Sequence, residues 1–412
     1  MKVFKFGGAS VKDANGVKNV ATVLKSEGFD GCMLIVSAMG KTTNELEIVI
    51  EKYINKENFN VEIALIKEKH VQICSELFEK NHSAFSELDG IFDKIEHFFR
   101  ENNSTDYNFI YDQIVSFGEI ISSKILSLYL NVAGFKNEYL DAKNFIKTDS
   151  NFRDGIVNWI ETEERIATLN KTQNFVTQGF IGSDLNANTT TLGREGSDYS
   201  AAIFAYCLNA EALTIWKDVP GVMTGDPRKF EDTTLLSNIS YEEAIEMAYY
   251  GASIIHPKTL QPLKQKNIPF FVKSFLKPSE KGTKVSVSEI NLKEETYILK
   301  ENQHLIHIST KDFSFIAENH ISLIFNILSK LKIKVSLMQN SAISLALCFD
   351  DPFKNKNFLI DELQEQFRLE KIENVSLFTV RNTNLTNIEK FYKNKDILLE
   401  QISRGTLQIV AK

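Results

Sequence analysis

The chain has 412 residues, a length that suits two or three domains. Hydrophobic residues make up 43% and charged residues 25%, as in globular proteins, so a disordered or fibrous chain is excluded. Lys and Arg number 47 against 54 Asp and Glu, a formal net charge of −7. A nucleic-acid-binding protein is not expected, because it would need a basic face, and any anion site must be local.

The opening residues and the cysteines bear on the compartment. No apolar run approaches the roughly 20 residues that cross a bilayer, and MKVFKFGGAS lacks the apolar core of a signal peptide. The cysteines form no CxxC pair and lie in apolar surroundings, so we expect buried free thiols. They are Cys32, Cys74, Cys207 and Cys348. We therefore expect a cytoplasmic protein that does not bind membranes.

The first 133 residues predict an α/β sandwich that opens with a β-α-β unit. Residues 2–6 and 31–37 are strand-like, and residues 11–26 have helical spacing, which is typical of a parallel sheet. From Thr43 to about Ala133, apolar residues recur every three or four positions and proline is absent. This tract predicts almost unbroken helix.

After Lys300 alternating segments surround two helical stretches, which predicts a small α+β module of the ferredoxin-like kind. The predicted strands cover residues 305–309, 334–338, 342–349 and 375–380, and the predicted helices cover 321–331 and 358–367. We expect the boundary between the domains near residues 290–302.

The first strand delivers Lys5 and then Gly7 and Gly8, and a helix begins just beyond. Glycines let backbone amides approach an anion without a Cβ in the way, and a helix N-terminus adds positive potential. A phosphate contact is one interpretation, and a structural Gly-Gly turn is the other. The spacings GxxxxGK[ST] and GxGxxG are both absent, which counts against a P-loop ATPase and a Rossmann dehydrogenase.

Two further segments offer polar groups. Residues 37–43 (SAMGKTT) follow the second strand, where α/β sheets form ligand crevices, and a helix cap by Thr42 or Thr43 is the equal alternative. Glu119, which follows a glycine in the helical tract, is a candidate for binding a ligand ammonium. The alternative for Glu119 is a solvent-facing position.

The segment TTTLGREGSDYSAA (189–202) carries an arginine between glycines and then opens a helix. The Arg194 guanidinium suits two-point contact with a carboxylate or phosphate. Asp198 could bind an amino group, although capping the helix would be its ordinary role. An amino acid ligand needs both kinds of partner at once.

The loop WKDVPGVMTGDPR (216–228) follows another strand. Turn chemistry accounts for its glycine and proline, but not for several charges and an aromatic residue in one loop. Asp218, Asp226 and Arg228 are candidates for polar contacts to a nucleotide.

In this order, the segments resemble the aspartate kinases of the amino acid kinase superfamily. The matching pieces are KFGGAS, SFGE, TTLGREGSDYSAA, WKDVPGVMTGDPR and SYEEAIEMAYYGASIIHPKT. The resemblance implies a three-layer α/β/α amino acid kinase fold over residues 1–295. It also implies a C-terminal α+β regulatory region of ferredoxin-like ACT units, the first at 303–372 and a truncated second at 373–412.

The reaction implied is transfer of the γ-phosphoryl group of ATP to the side-chain carboxylate of L-aspartate, the first step toward lysine, threonine and methionine. The carboxylate is already ionised at pH 7, so no general base is required, and the task is to hold two anions together. His256 is interpreted as structural. The cofactors implied are ATP and Mg²⁺, with the ion held mostly by phosphates and water and no protein ligand named.

The resemblance also implies residue roles. The catalytic residues are Lys5, Gly7, Gly8 and Asp198, with Lys5 as the main charge stabiliser at the transferring phosphate. The substrate-binding residues are Ser37, Thr43, Glu119, Arg194 and Ser197. Arg194 holds the α-carboxylate and Glu119 the ammonium. The nucleotide-binding residues are Lys217, Asp218, Val219, Met223, Asp226, Arg228 and Lys258.

The sequence departs from the family pattern at several positions. Ser253 stands where a lysine is often found, so a phosphate-facing lysine is missing or supplied by Lys258. Glu195 stands where glycine is common, and Lys217 where a small hydroxyl residue is usual. These changes bear on nucleotide affinity.

The regulatory end departs further. Ser336 and Ala342 stand where lysine-sensitive relatives commonly have Asp and Glu, so we expect weak or absent inhibition by lysine, with another amino acid as a possible effector. The truncated second unit is predicted to hold strand 376–380, a short helix near 396–401 and a last strand at 406–410. ACT units normally pair across subunits, so a homodimer or larger assembly is expected.

Two other functions stay open. One is a kinase of the same superfamily acting on another amino acid such as glutamate, and the other is an inactive amino-acid sensor. Retention of Lys5, Arg194 and Asp198 speaks against the sensor. A fusion to homoserine dehydrogenase is not expected, since no dinucleotide-binding domain follows residue 412.

Overall fold

The structure, a computed structural model, describes residues 1–252, 255–287, 294–383 and 395–412. The chain forms two compact units. The first comprises residues 1–222, 235–245 and 253–290, and the second comprises 223–234, 246–252 and 291–412. The four cysteines are buried and unpaired, as predicted. In the described part of the chain, no helix combines the length and apolar character that a bilayer crossing requires.

The first unit is built on an eight-stranded sheet. Its strands are β1 (Lys2–Phe6), β2 (Cys32–Val36), β3 (Glu138–Leu140), β4 (Phe175–Gln178), β7 (Ala212–Lys217), β8 (Asn238–Ser240), β9 (Phe270–Ser274) and β10 (Thr283–Ser286). The spatial order is β3-β4-β2-β1-β7-β9-β10-β8. The described neighbours are parallel except for the antiparallel pair β9–β10. A separate hairpin joins β5 (Ile181–Ser183) and β6 (Thr189–Thr191).

The helices of the described chain follow the predicted order. They are α1 (Ala14–Glu27), α2 (Thr42–Ile54), α3 (Asn60–Leu77), α4 (Ala84–Glu101), α5 (Tyr107–Val132), α6 (Trp159–Ala167), α7 (Gly196–Leu208), α8 (Tyr241–Tyr250), α9 (Pro257–Gln265), α10 (Glu318–Lys330) and α11 (Lys356–Gln364). The predicted β-α-β opening is confirmed by β1, α1 and β2. The predicted helical tract is confirmed by α2 to α5.

Helices cover both faces of the first unit's sheet. Successive side chains of a strand point to opposite faces. Phe4 and Phe6 of β1 therefore join a core with helices α1 to α5, whereas Lys5 faces the opposite side and meets α7. The predicted three-layer α/β/α fold is confirmed. Because β1, β2 and β7 are parallel, the loops after them lie at one edge of the sheet, where ligands bind in such folds.

The second unit contains a six-stranded antiparallel sheet and helices α10 and α11. Its strands are β11 (Thr296–Thr310), β12 (Lys334–Asn340), β13 (Ser344–Asp350), β14 (Phe367–Arg381), β15 (Ile397–Ser403) and β16 (Thr406–Ala411), in the order β12-β13-β11-β14-β16-β15. Ile308, Ile324 and Leu359 are among the side chains of the core between sheet and helices. The predicted C-terminal α+β region is confirmed, while the limits 1–295, 303–372 and 373–412 stay predictions.

The predicted short helix near residues 396–401 is wrong. Residues 397–403 form strand β15, which pairs antiparallel with β16. Leu399 is buried in a cluster that also holds Val410 of β16. Burial of this apolar side chain and the ladder hydrogen bonds outweigh the weak local preference for helix.

Candidate active site

Strands β1 and β7 present two lysines on the same face of the sheet. Lys5 is in register with Ile215, and Lys217 lies two residues beyond Ile215, so both side chains project to the side covered by α7. Asp198 lies in the first turn of α7. Two cations and one anion, which are distant in sequence, are thus brought to the carboxyl ends of neighbouring strands.

Asp198 lies between the two ammonium groups. Its Oδ1 is 2.6 Å from Lys5 Nζ, and its Oδ2 is 3.3 Å from Lys217 Nζ. Burial opposes ionisation of Asp198, but the charges of Lys5 and Lys217 outweigh it and hold the pKa of Asp198 below its ordinary value. The helix N-terminus also favours a carboxylate at this position. These three side chains place two ammonium groups beside one carboxylate, and Glu195 lies within electrostatic reach of both lysines.

The contacts of Asp198 and the N-cap of α7 decide between the two predictions made for this residue. The N-cap of α7 is Glu195, whose side chain makes no capping hydrogen bond. The alternative of Asp198 as an ordinary helix cap is therefore wrong, because its carboxylate contacts the two lysines instead. The partnership of Lys217 with Asp198 was not predicted, because the register of β1 and β7 is not visible in the sequence.

Gly7 and Gly8 follow β1 where backbones pass closely. A Cβ added at Gly8 would lie 2.5 Å from the carbonyl oxygen of Ala38, a contact that real side chains do not make. The Gly40 amide donates to the Gly8 carbonyl at 3.0 Å. Gly8 is thus required for the approach of the first loop to the loop after β2. This contact lies beside Lys5, whose Nζ is 3.7 Å from a Cβ built on Gly7.

The loop after β2 lies at the same edge of the sheet. The Ser37 amide donates to the Phe6 carbonyl at 3.1 Å, and Ser37 and Thr43 are half-buried. Thr42 Oγ1 donates to the Met39 carbonyl at 2.6 Å. Neither threonine caps α2, because its N-cap is Lys41 without a side-chain capping bond.

Glu119 on α5 is 4% exposed, so the alternative of a solvent-facing glutamate is wrong. Its Oε1 accepts a hydrogen bond from the Ala38 amide at 3.3 Å, and its Oε2 is buried without a hydrogen-bond partner in the described chain. Burial raises the pKa of Glu119 to about 8, although the Ala38 hydrogen bond and the charge of Lys5 oppose the rise. Gly118 permits this approach, since a Cβ there would lie 3.0 Å from Ala38 Cβ.

The segment before α7 positions Arg194 and Ser197. Arg194 is exposed and forms no ion pair with the described residues, whereas Ser197 is half-buried and packs against Gly179. Glu195 has a φ of 54°, in the left-handed region that favours glycine. This conformation gives a physical reason for the glycine that is common in the family there. Burial raises the pKa of Glu195.

The predicted nucleotide residues fall into separate groups. Asp218 is exposed and Val219 half-buried, next to Lys217 in the first unit. Lys258 pairs with Asp154 at 2.5 Å, and His256 caps α9 by accepting from the Lys258 amide at 3.2 Å. Met223, Asp226 and Arg228 belong to the second unit, where Arg228 Nη2 is 2.8 Å from Asp226 Oδ2. Ser253 lies outside the described residues.

The model of the amino acid kinase family matches residues 1–274. The chain belongs to this family. It is 30% identical over 92% of its length to aspartokinase 1, chloroplastic, of Arabidopsis thaliana, of which it covers 69%. It is 30% identical over 93% of its length to the bifunctional aspartokinase/homoserine dehydrogenase of Buchnera aphidicola, of which it spans half. The predicted resemblance to aspartate kinases is confirmed.

Solved structures agree with this family assignment. Escherichia coli aspartokinase III in complex with aspartate and ADP matches with a TM-score of 0.86 and 27% identity, over 100% of this chain and 96% of that chain. The aspartate kinase of Clostridium acetobutylicum matches with a TM-score of 0.78 and 25% identity, over 100% of this chain and 96% of that chain. In both cases the likeness extends to the C-terminal unit.

The structure contains one buried carboxylate beside the site that was not predicted from the sequence. Asp112 on α5 accepts hydrogen bonds from the backbone amide of Arg153, which lies in a turn, and from the backbone amide of Thr191, which lies in strand β6. Its spacing of seven residues before Glu119, two helical turns on the same face, was the available signal.

In the described ranges no three His, Cys, Asp or Glu side chains come together to hold a metal ion.

Proposed function

We propose that this chain is an aspartate kinase, which transfers the γ-phosphoryl group of ATP to the side-chain carboxylate of L-aspartate. The observation that carries the proposal is the Lys5–Asp198–Lys217 cluster at the edge of the parallel sheet. The aspartokinase relatives and the E. coli enzyme solved with aspartate and ADP support it. The product is 4-phospho-L-aspartate, which opens the route to lysine, threonine and methionine.

The cluster suits the joining of two anions. The ammonium groups of Lys5 and Lys217, beside the tight Gly7–Gly8 turn, would lower the repulsion between ATP and the aspartate carboxylate. Lys5 is assigned to the transferring phosphoryl group. Lys217 is assigned to the nucleotide phosphates, and Asp198 holds both ammonium groups in place.

The substrate's backbone groups would be held by the neighbouring loops. Arg194 has an exposed guanidinium available for the α-carboxylate. Glu119 has a buried oxygen with no hydrogen-bond partner among the described residues, which is available for the α-ammonium, and the approach of this cation would lower the pKa of Glu119 and ionise it. Ser37, Thr43 and Ser197 would complete the contacts to the carboxylates.

The nucleotide site is proposed from Lys217, Asp218 and Val219, whereas roles for Met223, Asp226, Arg228 and Lys258 stay predictions. Mg²⁺ would be held mostly by phosphate oxygens and water, as this hard ion prefers. When bound, it would neutralise charge on the phosphates.

Regulation is proposed to differ from that of lysine-inhibited relatives. E. coli aspartokinase III has been solved with lysine and aspartate in a T-state. Here Ser336, where those relatives commonly have an acid, accepts from Lys300 Nζ at 3.2 Å and donates to Gln303 at 3.1 Å. A cation already faces this hydroxyl, so a second cation would be repelled. Weak or absent lysine inhibition therefore remains our proposal.

We also propose a homodimer or larger assembly through the ACT-like region, and a cytoplasmic location. The edge strands β12 and β15 of the six-stranded sheet offer backbone groups for pairing between subunits. Four buried, unpaired thiols suit a reducing compartment.

The function is tested by coupled ADP release with Mg-ATP. We expect turnover with L-aspartate and little with L-glutamate. Preference for glutamate would assign another kinase of the family, and no turnover at saturating aspartate would favour the amino-acid sensor.

A further inference from the structure

Helix α5 holds two other segments through one buried carboxylate. Asp112 is fully buried, and its Oδ2 accepts from the amides of Arg153 at 2.9 Å and Thr191 at 2.8 Å. Its Oδ1 accepts from Thr191 Oγ1 at 2.7 Å. All three donors lie outside α5, so Asp112 joins the helix to strand β6 and to the turn at Arg153.

The neighbouring residue strengthens this attachment. Gln113 Nε2 donates to the Thr189 carbonyl at 2.8 Å, and its Oε1 accepts from the Thr189 amide at 3.1 Å. Two consecutive side chains of α5 thus fix both ends of β6. We call Asp112, Gln113 and their partners in β6 the α5 clamp.

The α5 clamp leads directly to Arg194. The Gly155 amide donates to the Thr191 carbonyl at 2.8 Å. A Cβ added at Gly193 would lie 2.7 Å from Asp154 Oδ1, so this turn is in close contact with the residue before Arg194. The Arg194 side chain is exposed and forms no ion pair with the described residues. Its position therefore depends on the backbone that the clamp holds.

We propose that Asp112 is a positioning residue for the amino acid substrate, holding β6 and the 153–155 turn so that Arg194 lies at a set distance from Glu119. The inference rests on the proposed function, in which these two residues hold the α-carboxylate and the α-ammonium. Asp112 and Glu119 are seven residues apart on one helix, about 10 Å along its axis. Helix α5 thus sets the distance between Arg194, which it positions through Asp112, and its own Glu119. This fixed distance would select an α-amino acid as the substrate.

The experiment compares two substitutions at this position. Asp112→Leu removes every acceptor at similar size. Asp112→Asn keeps one oxygen, which can accept from both backbone amides, and replaces the second oxygen by a nitrogen that can donate to Thr191 Oγ1. The matched control is Asp89→Leu, an exposed acid of α4 that pairs with Lys67 at 2.6 Å. Coupled ADP release gives kcat and the KM values for aspartate and ATP.

We expect Asp112→Leu to raise KM for aspartate about tenfold or more, because three buried donors lose their acceptor. We expect kcat and KM for ATP to change by less than about threefold, which is under 1 kcal/mol. Asp112→Asn and Asp89→Leu should stay close to the unsubstituted enzyme in all three constants. A folded leucine variant with unchanged KM for aspartate would overturn the proposal, and so would an asparagine variant as impaired as the leucine one.

A second test covers the case in which the leucine variant does not fold, as judged by circular dichroism. Thr191→Val alone removes one hydrogen bond. Combined with Asp112→Asn, it leaves the buried side-chain NH2 introduced by that substitution without an acceptor. The double variant should raise KM for aspartate by more than the product of the single effects. Simple multiplication of the single effects would contradict the clamp. Failure of the unsubstituted chain to turn over aspartate would instead overturn the proposed function.

Discussion

The substitution Lys5→Met tests the charge cluster most directly. It removes the ammonium 2.6 Å from Asp198 and keeps the length of the side chain. Removing one partner of a buried ion pair typically costs about 3–5 kcal/mol of folding free energy. Lys217 remains 3.3 Å from the carboxylate, so we expect a loss at or below the lower end of that range.

The effect on turnover should be larger than the effect on binding. A group that stabilises charge in the transition state is worth about a hundred- to a thousandfold in kcat. We therefore expect kcat to fall by about that factor, with KM for aspartate changed by less than about tenfold. The measurement is coupled ADP release at saturating ATP and aspartate, beside urea unfolding to establish that the variant is folded.

Lys273→Met is the matched control for this substitution. Lys273 on β9 forms a largely buried ion pair with Glu27 at 2.5 Å, away from Asp198. Lys273→Met should lower the free energy of unfolding but change kcat by less than about threefold, which is under 1 kcal/mol of activation free energy. Equal kcat values for a folded Lys5→Met variant and the unsubstituted chain would refute the assignment of Lys5 to the transferring phosphate.

Three further outcomes are expected. Gly8→Ala should abolish aspartate turnover, because its Cβ would lie 2.5 Å from a backbone carbonyl, whereas Gly90→Ala, with open space around the added atom, should be as active as the unsubstituted chain. Glu119→Gln should become more stable relative to the unsubstituted chain as pH rises from 5 to 8. Because the pKa of Glu119 is raised to about 8, the folded chain keeps a proton that the unfolded chain has released, so the free energy of unfolding falls by about 1 kcal/mol per pH unit. Urea unfolding measures this fall relative to the Gln variant, and a difference that does not change with pH would contradict a buried neutral acid at this position. Millimolar L-lysine should leave the aspartate-dependent rate unchanged, and inhibition at micromolar lysine would show that the contact between Lys300 and Ser336 does not exclude it.

The net charge of −7 and the proposed binding of two anions are compatible because the site's charge is local. Lys5 and Lys217 place two positive charges beside the carboxylate of Asp198, where the strands end. Charges on the acidic remainder of the surface are screened by salt beyond about 8 Å at physiological ionic strength, so they contribute little to the potential at the site.

The sequence alone determined the order of the elements and the chemistry available at their ends. Periodicity predicted the strands and the helical tract before residue 133, and KFGGAS and TTLGREGSDYSAA predicted a site of lysine, arginine and glycine. These features are local, because they depend on residues within a few positions of each other.

Only the tertiary structure decided which of those groups meet. The register of β1 and β7 brings Lys217 to Asp198, and the packing of α5 buries Glu119 against Ala38. Pairing with β16 makes residues 397–403 a strand, where local spacing predicted a helix. Register, burial and strand pairing join residues far apart in the chain, so no short stretch of sequence contains them.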